Sequence, residues 1–158
     1  MKLRITLALL VLIGCLSATA AAQGSEKVVR AKAGQSPYRI KPGVAAPVEV
    51  IIDIDAGYHI NSNRPAEEFL IGTSLKLEKL AGVTATRVVY PKAKIQKFQF
   101  SEKPLSVYDG RVVLKFTARA AAAGLYTLKG KLTVQACNDE ACLRPATIDV
   151  DIPIEVAK

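Results

Sequence analysis

The stretch Thr147-Ile148-Asp149-Val150-Asp151-Ile152-Pro153-Ile154-Glu155-Val156 decides the fold class. Ile148, Val150, Ile152, Ile154 and Val156 fall on one side of an extended chain, and Thr147, Asp149, Asp151 and Glu155 on the other. Successive side chains of a strand point to opposite faces, so this period of two predicts a half-buried strand with one face on a core. Residues 48–54 repeat the pattern: Val48, Val50, Ile52 and Ile54 oppose Glu49 and Asp53, and only Ile51 breaks the polarity. Residues 75–80, 85–90, 111–118 and 126–136 read as further strands. Asp109-Gly110 is a strong turn signal and predicts a hairpin between residues 106–108 and 111–118. Residues 120–124 suit a helical turn that Gly124 stops, and residues 63–70 a short helix or an irregular loop. Many short strands with turn signals between them predict an all-β, antiparallel β-sandwich.

Outward from these strands, the chain of 158 residues is long enough for one domain with its own core. It opens with the basic Met1-Lys2-Leu3-Arg4, continues with an apolar run over residues 5–13 and then with small residues over 14–22. That order is the order of a secretory signal peptide. The apolar run is shorter than the roughly 20 residues a spanning helix needs. Two processing sites compete. Ala20-Ala21-Ala22 before Gln23 suits an ordinary signal peptidase, whereas Leu12-Ile13-Gly14-Cys15 looks like a lipobox, in which a lipidated Cys15 would tie the protein to the membrane. The expected organisation is a leader over 1–22, a polar tether over 23–36 and the sandwich over 37–158. The net charge of +8 is scattered rather than gathered in a block. It favours solubility and surface steering over nucleic acid, and the absence of tryptophan removes the usual base-stacking platforms.

Export leaves Cys137 and Cys142 in an oxidising compartment, where a close pair is expected to be bridged. Leu128, Gly130, Leu132, Val134 and Ala136 share one strand face. Cys137 falls with Gln135 on the opposite, polar face, which favours an accessible pair. Asn138-Asp139-Glu140-Ala141 is a polar turn, so the cysteines flank a tight connection between two adjacent strands. A loop this short gains little stability from closure. Spacing and parity alone leave a structural staple and a redox site equally open. A metal centre is less well supported, because two cysteines and the sequence-distant His59 fall short of the four ligands of a closed zinc site.

The run Val134-Gln135-Ala136-Cys137-Asn138-Asp139-Glu140-Ala141-Cys142-Leu143-Arg144-Pro145 resembles the active-site hairpin of a known family, the N-terminal periplasmic domain of the thiol:disulfide interchange protein DsbD, also called the disulfide bond corrector domain. Gly57-Tyr58-His59-Ile60-Asn61-Ser62 is a second match. Tyr90-Pro91, followed by residues 98–108 and Asp109-Gly110, is a third. The resemblance spans roughly residues 37–156 and implies an immunoglobulin-like sandwich in the periplasm with no cofactor beyond its cysteines. It implies a protein-disulfide reductase type of exchange linked to cytochrome c biogenesis. Thioredoxin-like proteins and a membrane electron carrier would act as donors, and periplasmic disulfide isomerase-like or other thiol proteins as acceptors. Carried over, Cys137 and Cys142 are the redox pair, with Cys142 the partner-facing thiol. Phe98 or Phe100 caps the sulfurs, and His59 and Asn61 line the site.

The same residues have plainer readings. Phe98 and Phe100 are spaced as one strand face and on their own read as core. His59 reads as a hydrogen-bonded or surface residue, and the pair as the disulfide of a non-catalytic partner-binding module. The lysines Lys94, Lys97 and Lys103 flank the cap segment where the best-studied members carry acids, which would lower the pKa of a nearby thiol. With no membrane conductor or thioredoxin-like stretch before Lys158, the partners are expected to be separate proteins, or the domain to be adapted to another task.

Overall fold

The computed structural model describes residues 24–157. The expected leader, both processing sites and Cys15 lie outside the described residues. A single 3-10 turn at Ser25–Lys27 precedes the strands β1 (Val29–Ala33), β2 (Tyr38–Ile40), β3 (Ala46–Ile54), β4 (His59–Asn61), β5 (Ser74–Leu77) and β6 (Val83–Ala85). Then follow β7 (Lys94–Gln96), β8 (Leu105–Asp109), β9 (Arg111–Ala120), β10 (Gly124–Val134), β11 (Ala136–Cys137) and β12 (Ala146–Val156). They form three four-stranded sheets in the orders β1-β3-β9-β6, β2-β12-β10-β5 and β11-β4-β8-β7. All pairings are antiparallel except β2 with β12. The molecule is an immunoglobulin-like antiparallel β-sandwich.

The period-two pattern of the sequence is what builds the two large sheets. Val48, Val50 and Ile52 of β3, Leu114 of β9, Leu132 and Val134 of β10 and Ile152 of β12 are all fully buried, in one common core. Each such side chain contributes on the order of 1.5–3 kcal/mol by leaving water. β10 and β12 pair along their whole length, from Gly124 opposite Val156 to Val134 opposite Ala146, so the residues between them form the tip of one long hairpin. Both cysteines are in that tip.

The structure departs from the sequence expectations in four places. Within the expected tether, residues 24–36 belong to the sandwich: Val29–Ala33 is a strand paired with β3, and Ser25 is fully buried. Alternating Val29, Ala31 and Ala33 turn their apolar side to the core, a signal too weak to stand out in a polar stretch. Of residues 85–90, only Ala85 lies in a strand, with one further bridge between Val89 and Lys115. Residues 121–123 carry bends and no helical turn, whereas residues 63–70 take the irregular-loop alternative, with turns and bends.

The fourth departure matters for the site. β8 and β9 do not form a hairpin at Asp109-Gly110; they belong to different sheets. β9 pairs with β3 as far as Arg111 opposite Asp53, and β8 pairs with β4 from Asp109 opposite His59. Residues 54–58 therefore stand opposite Gly110 alone, with the Ile54 N–H donating to the Gly110 carbonyl at 2.8 Å. This is a large bulge in one long antiparallel pairing. It bends the pair so that β4 and β8 leave the first sheet and start the third. Long non-local partners outcompeted the local turn. Gly110 has φ +61°, the left-handed conformation that glycine adopts without steric cost.

Candidate redox site

The third sheet explains how the cysteines are held. Ala136, Ile60 and Tyr108 turn one of its faces to the main core. The other face carries Val107 and Leu105, which pack with Phe98 into a small separate cluster. Cys137 stands on this second face. The sequence parity thus put it on the correct side, off the main core, but the expectation of an accessible Cys137 fails. It is 0% exposed, and on the same face the loop over residues 97–104 lays Phe98 on His59, its cross-strand neighbour. Cys142 is exposed. The pair is bridged, with Cα atoms 3.9 Å apart, below the roughly 4.4–6.8 Å usual for disulfides. The cysteines are direct partners across a tight turn, locked on either side by Asn138 N–H to the Ala141 carbonyl at 3.0 Å and Leu143 N–H to the Ala136 carbonyl at 2.8 Å. The Asn138 carboxamide oxygen accepts from the N–H groups of Glu140 and Ala141, which closes the turn.

His59 stands directly opposite Cys137 on the neighbouring strand and is 4% exposed. Its ring stacks on Phe98 at 4.0 Å between centroids, and Phe98 stacks on Phe100 at 5.5 Å. Phe98 is buried and Phe100 is 38% exposed, so of the two candidate caps Phe98 is the inner ring and Phe100 the outer. Burial pushes the His59 imidazole below its ordinary pKa, against the opposing pull of Asp139 and Asp109. Its Nε2 has no hydrogen-bond partner among the described residues. Asn61, on the same face of β4, is fully buried. Its Nδ2 donates to the Ile71 carbonyl at 3.1 Å and to Gln135 Oε1 at 3.4 Å, so it ties the loop before β5 to the strand that leads into Cys137.

The three lysines have partners of their own. Lys94 pairs with Asp109, Lys103 pairs with Glu67 at 3.0 Å, and Lys97 donates to the carbonyls of Ser101 and Glu102. They brace the cap loop and its neighbours. Among the described residues no group of three or more His, Cys, Asp or Glu side chains is placed to hold a metal ion.

Two residues of the site escaped the sequence reading. The Ser25 hydroxyl donates to the Arg144 carbonyl at 2.7 Å and accepts from the Ala136 N–H at 2.9 Å, which clamps both ends of the cysteine turn. The Gln135 amide accepts from Ile71 N–H and donates to the Leu143 carbonyl. Ser25 lies in a polar stretch with no motif, and Gln135, though inside the cysteine motif, shows no bonding role along the chain; only the fold gives each its partners.

An immunoglobulin-like sandwich with a bridged cysteine pair at one hairpin tip, one cysteine buried and the other exposed, defines a class of domain arranged for thiol–disulfide chemistry. The family model described as "Thiol:disulfide interchange protein DsbD, N-terminal" matches residues 29–153, and the chain belongs to that family. Among solved structures, the chain is similar to the reduced N-terminal domain of DsbD from Neisseria meningitidis, with 19% identity over 70% of this chain and 79% of that one and a TM-score of 0.47. It is also similar to the N-terminal periplasmic domain of ScsB from Proteus mirabilis, with 16% identity, 78% and 45% coverage and a TM-score of 0.49. A third likeness is to a Neisseria meningitidis complex of the DsbD and PilB N-terminal domains, with 19% identity, 66% and 73% coverage and a TM-score of 0.45. No curated protein matches the sequence. Among the described residues no helix is long and apolar enough to cross a membrane.

Proposed function

We propose that this domain passes reducing equivalents in the periplasm through Cys137 and Cys142, between thioredoxin-like or membrane-held donors and thiol proteins of the envelope. The observation that carries this reading is the asymmetry of the bridge: Cys142 is exposed and Cys137 is 0% exposed. A donor thiolate attacks the Cys142 sulfur. The Cys137–Cys142 bond breaks, and Cys137 leaves as a thiolate that then takes a proton. The donor's second thiolate attacks the donor sulfur of the mixed disulfide and releases Cys142 as a thiolate, which takes up the second proton from solvent, so the domain has gained two electrons from the donor and two protons. The reverse sequence delivers them to an acceptor disulfide. Access decides which sulfur is attacked, and a lid of Phe98 and Phe100 keeps stray thiols from the inner one. The leader over 1–22 exports the chain, with cleavage before Gln23.

The test is trapping. Cys137→Ser expressed in the periplasm should accumulate adducts on Cys142 that reductant releases and that include thioredoxin-like proteins, whereas Cys142→Ser should give none. The intact mass of the same material reads whether the chain begins at Gln23 or at a lipidated Cys15. Absence of adducts, together with a bridge that thioredoxin-like proteins leave intact in the folded domain, would make the pair a staple in a partner-binding module.

A further inference from the structure

The registers of the third sheet align four side chains in one cross-strand row: Asp109 on β8, His59 on β4, Cys137 on β11 and Cys142 beyond the turn. Directly opposed residues of antiparallel strands share a face, with Cβ atoms about 4.5–5.5 Å apart. The row therefore sets a carboxylate beside an imidazole and the imidazole beside the inner sulfur, the order in which base-assisted thiol nucleophiles are built. A buried nitrogen without a hydrogen-bond partner is costly and rare. His59 Nε2 is such a nitrogen while the cysteines are bridged, and a bridged sulfur has no proton to share.

We infer that His59 is the general base for Cys137, accepting its thiol proton when the reduced domain resolves a mixed disulfide on Cys142. This rests on the exchange reading above and assigns the residue that drives its slow half. An exposed Cys142 ionises in water. A buried Cys137 thiol does not do so readily, since an apolar site raises its pKa. In the step, the Cys137 S–H proton passes to neutral His59. The thiolate attacks the Cys142 sulfur, the Cys137–Cys142 bond forms and the Cys142–acceptor bond breaks. The acceptor leaves as a thiolate, and the proton on His59 passes to it or to solvent. The acceptor gains two electrons and the domain's dithiol is oxidised by two.

The groups around His59 suit this role. Phe98 stacks on its ring from the cap loop, and burial keeps the imidazole neutral and ready to accept. Asp109 on β8 and Asp139 in the cysteine turn are the charged groups that favour the imidazolium once it forms. Lys94 pairs with Asp109 and moderates it, and Lys97 is spent on the Ser101 and Glu102 carbonyls.

The reduced full domain mixed with dithiobis-nitrobenzoate, a chromogenic aromatic disulfide, separates the two halves. Attack by Cys142 releases one coloured thiolate, and resolution by Cys137 releases a second. His59→Phe keeps a ring to stack on Phe98 and has no nitrogen. Near neutral pH its first phase should match the parent and its second should be slower by roughly 100-fold or more. The parent's second phase should fall as acid protonates His59 and level off above that titration. The variant's should climb steadily with pH, following ionisation of the thiol alone. His59→Gln, which keeps a polar side chain but no base, should behave like His59→Phe. A second phase within about threefold of the parent, with the same pH midpoint, overturns the role of His59. A parent that releases no second thiolate overturns the exchange reading itself.

Discussion

At the scale of single residues, the site is held by groups whose importance lies in what they would leave unpaired. Ser25 is the clearest case. Its hydroxyl is fully buried and bonded at once to Ala136 N–H, just before Cys137, and to the Arg144 carbonyl, just after Cys142. Ser25→Ala removes little volume but strands the Ala136 N–H in a site that water does not reach. That should cost about 1–3 kcal/mol, measured by urea unfolding, with the cysteine turn loosened first in amide exchange. A loss under about 0.5 kcal/mol would mean that the turn stands without its clamp. By contrast, the exposed pairs Lys129–Asp151 and Lys131–Asp149 along the hairpin lie in high dielectric and contribute little. Cys137, Cys142, His59 and Phe98, which the structure gathers on and against one face of the third sheet, were legible in the sequence because they sit in motifs. The bonding roles of Ser25 and Gln135 were not, because hydrogen bonds to partners distant in sequence leave no pattern along the chain.

At the scale of elements, legibility follows strand length. β3, β9, β10 and β12 are long enough for alternation to show, and each forms where the pattern predicts. β4, β7 and β11 are two or three residues long and carry no readable period. These short strands build the third sheet, so the surface on which the cysteines stand was the part of the fold least visible beforehand. The Asp109-Gly110 signal was real as a signal for positive φ and misleading as a hairpin. Gly110 spends that conformation on the bulge that turns β4 and β8 toward the cysteines. Nothing lies within 4 Å of a Cβ built on it, so the cost of Gly110→Ala is conformational only. It should be about 1–2 kcal/mol, the usual penalty for a left-handed non-glycine residue. The consequence should reach the site, because the bulge sets the position of His59 opposite Cys137. A chemical-shift map of Gly110→Ala that is silent on β4 and the cap loop would show that the third sheet is placed independently of the bulge.

At the scale of the whole molecule, two sheets make most of the core and the third extends it into a small annex, so the bulk of the core and the cysteine pair are lodged in different places. The main core runs through both long sheets, whereas the cluster under the cap is only Phe98, Leu105 and Val107 with Leu70 against it. A loop held by so few apolar contacts should open at a fraction of the global unfolding free energy, as the lid in the proposed exchange requires, and amide exchange over residues 97–104 would check it. The same division predicts how the protein responds to loss of the bridge. Cys137 and Cys142 close a loop of sequence separation 5, for which chain entropy gives about 2 kcal/mol. Against a core of this extent that is a minor share. Cys137→Ser combined with Cys142→Ser should therefore fold cooperatively, with the same far-ultraviolet circular dichroism and a Tm lower by roughly 5–10 °C. Dithiothreitol should shift the parent by about the same amount and leave the double variant unmoved. If the variant instead fails to fold at room temperature, the bridge is structural and cycling between dithiol and disulfide would unfold the carrier at every turnover. If it folds as expected, the domain can give up its disulfide and keep its shape, the physical condition for carrying electrons through it.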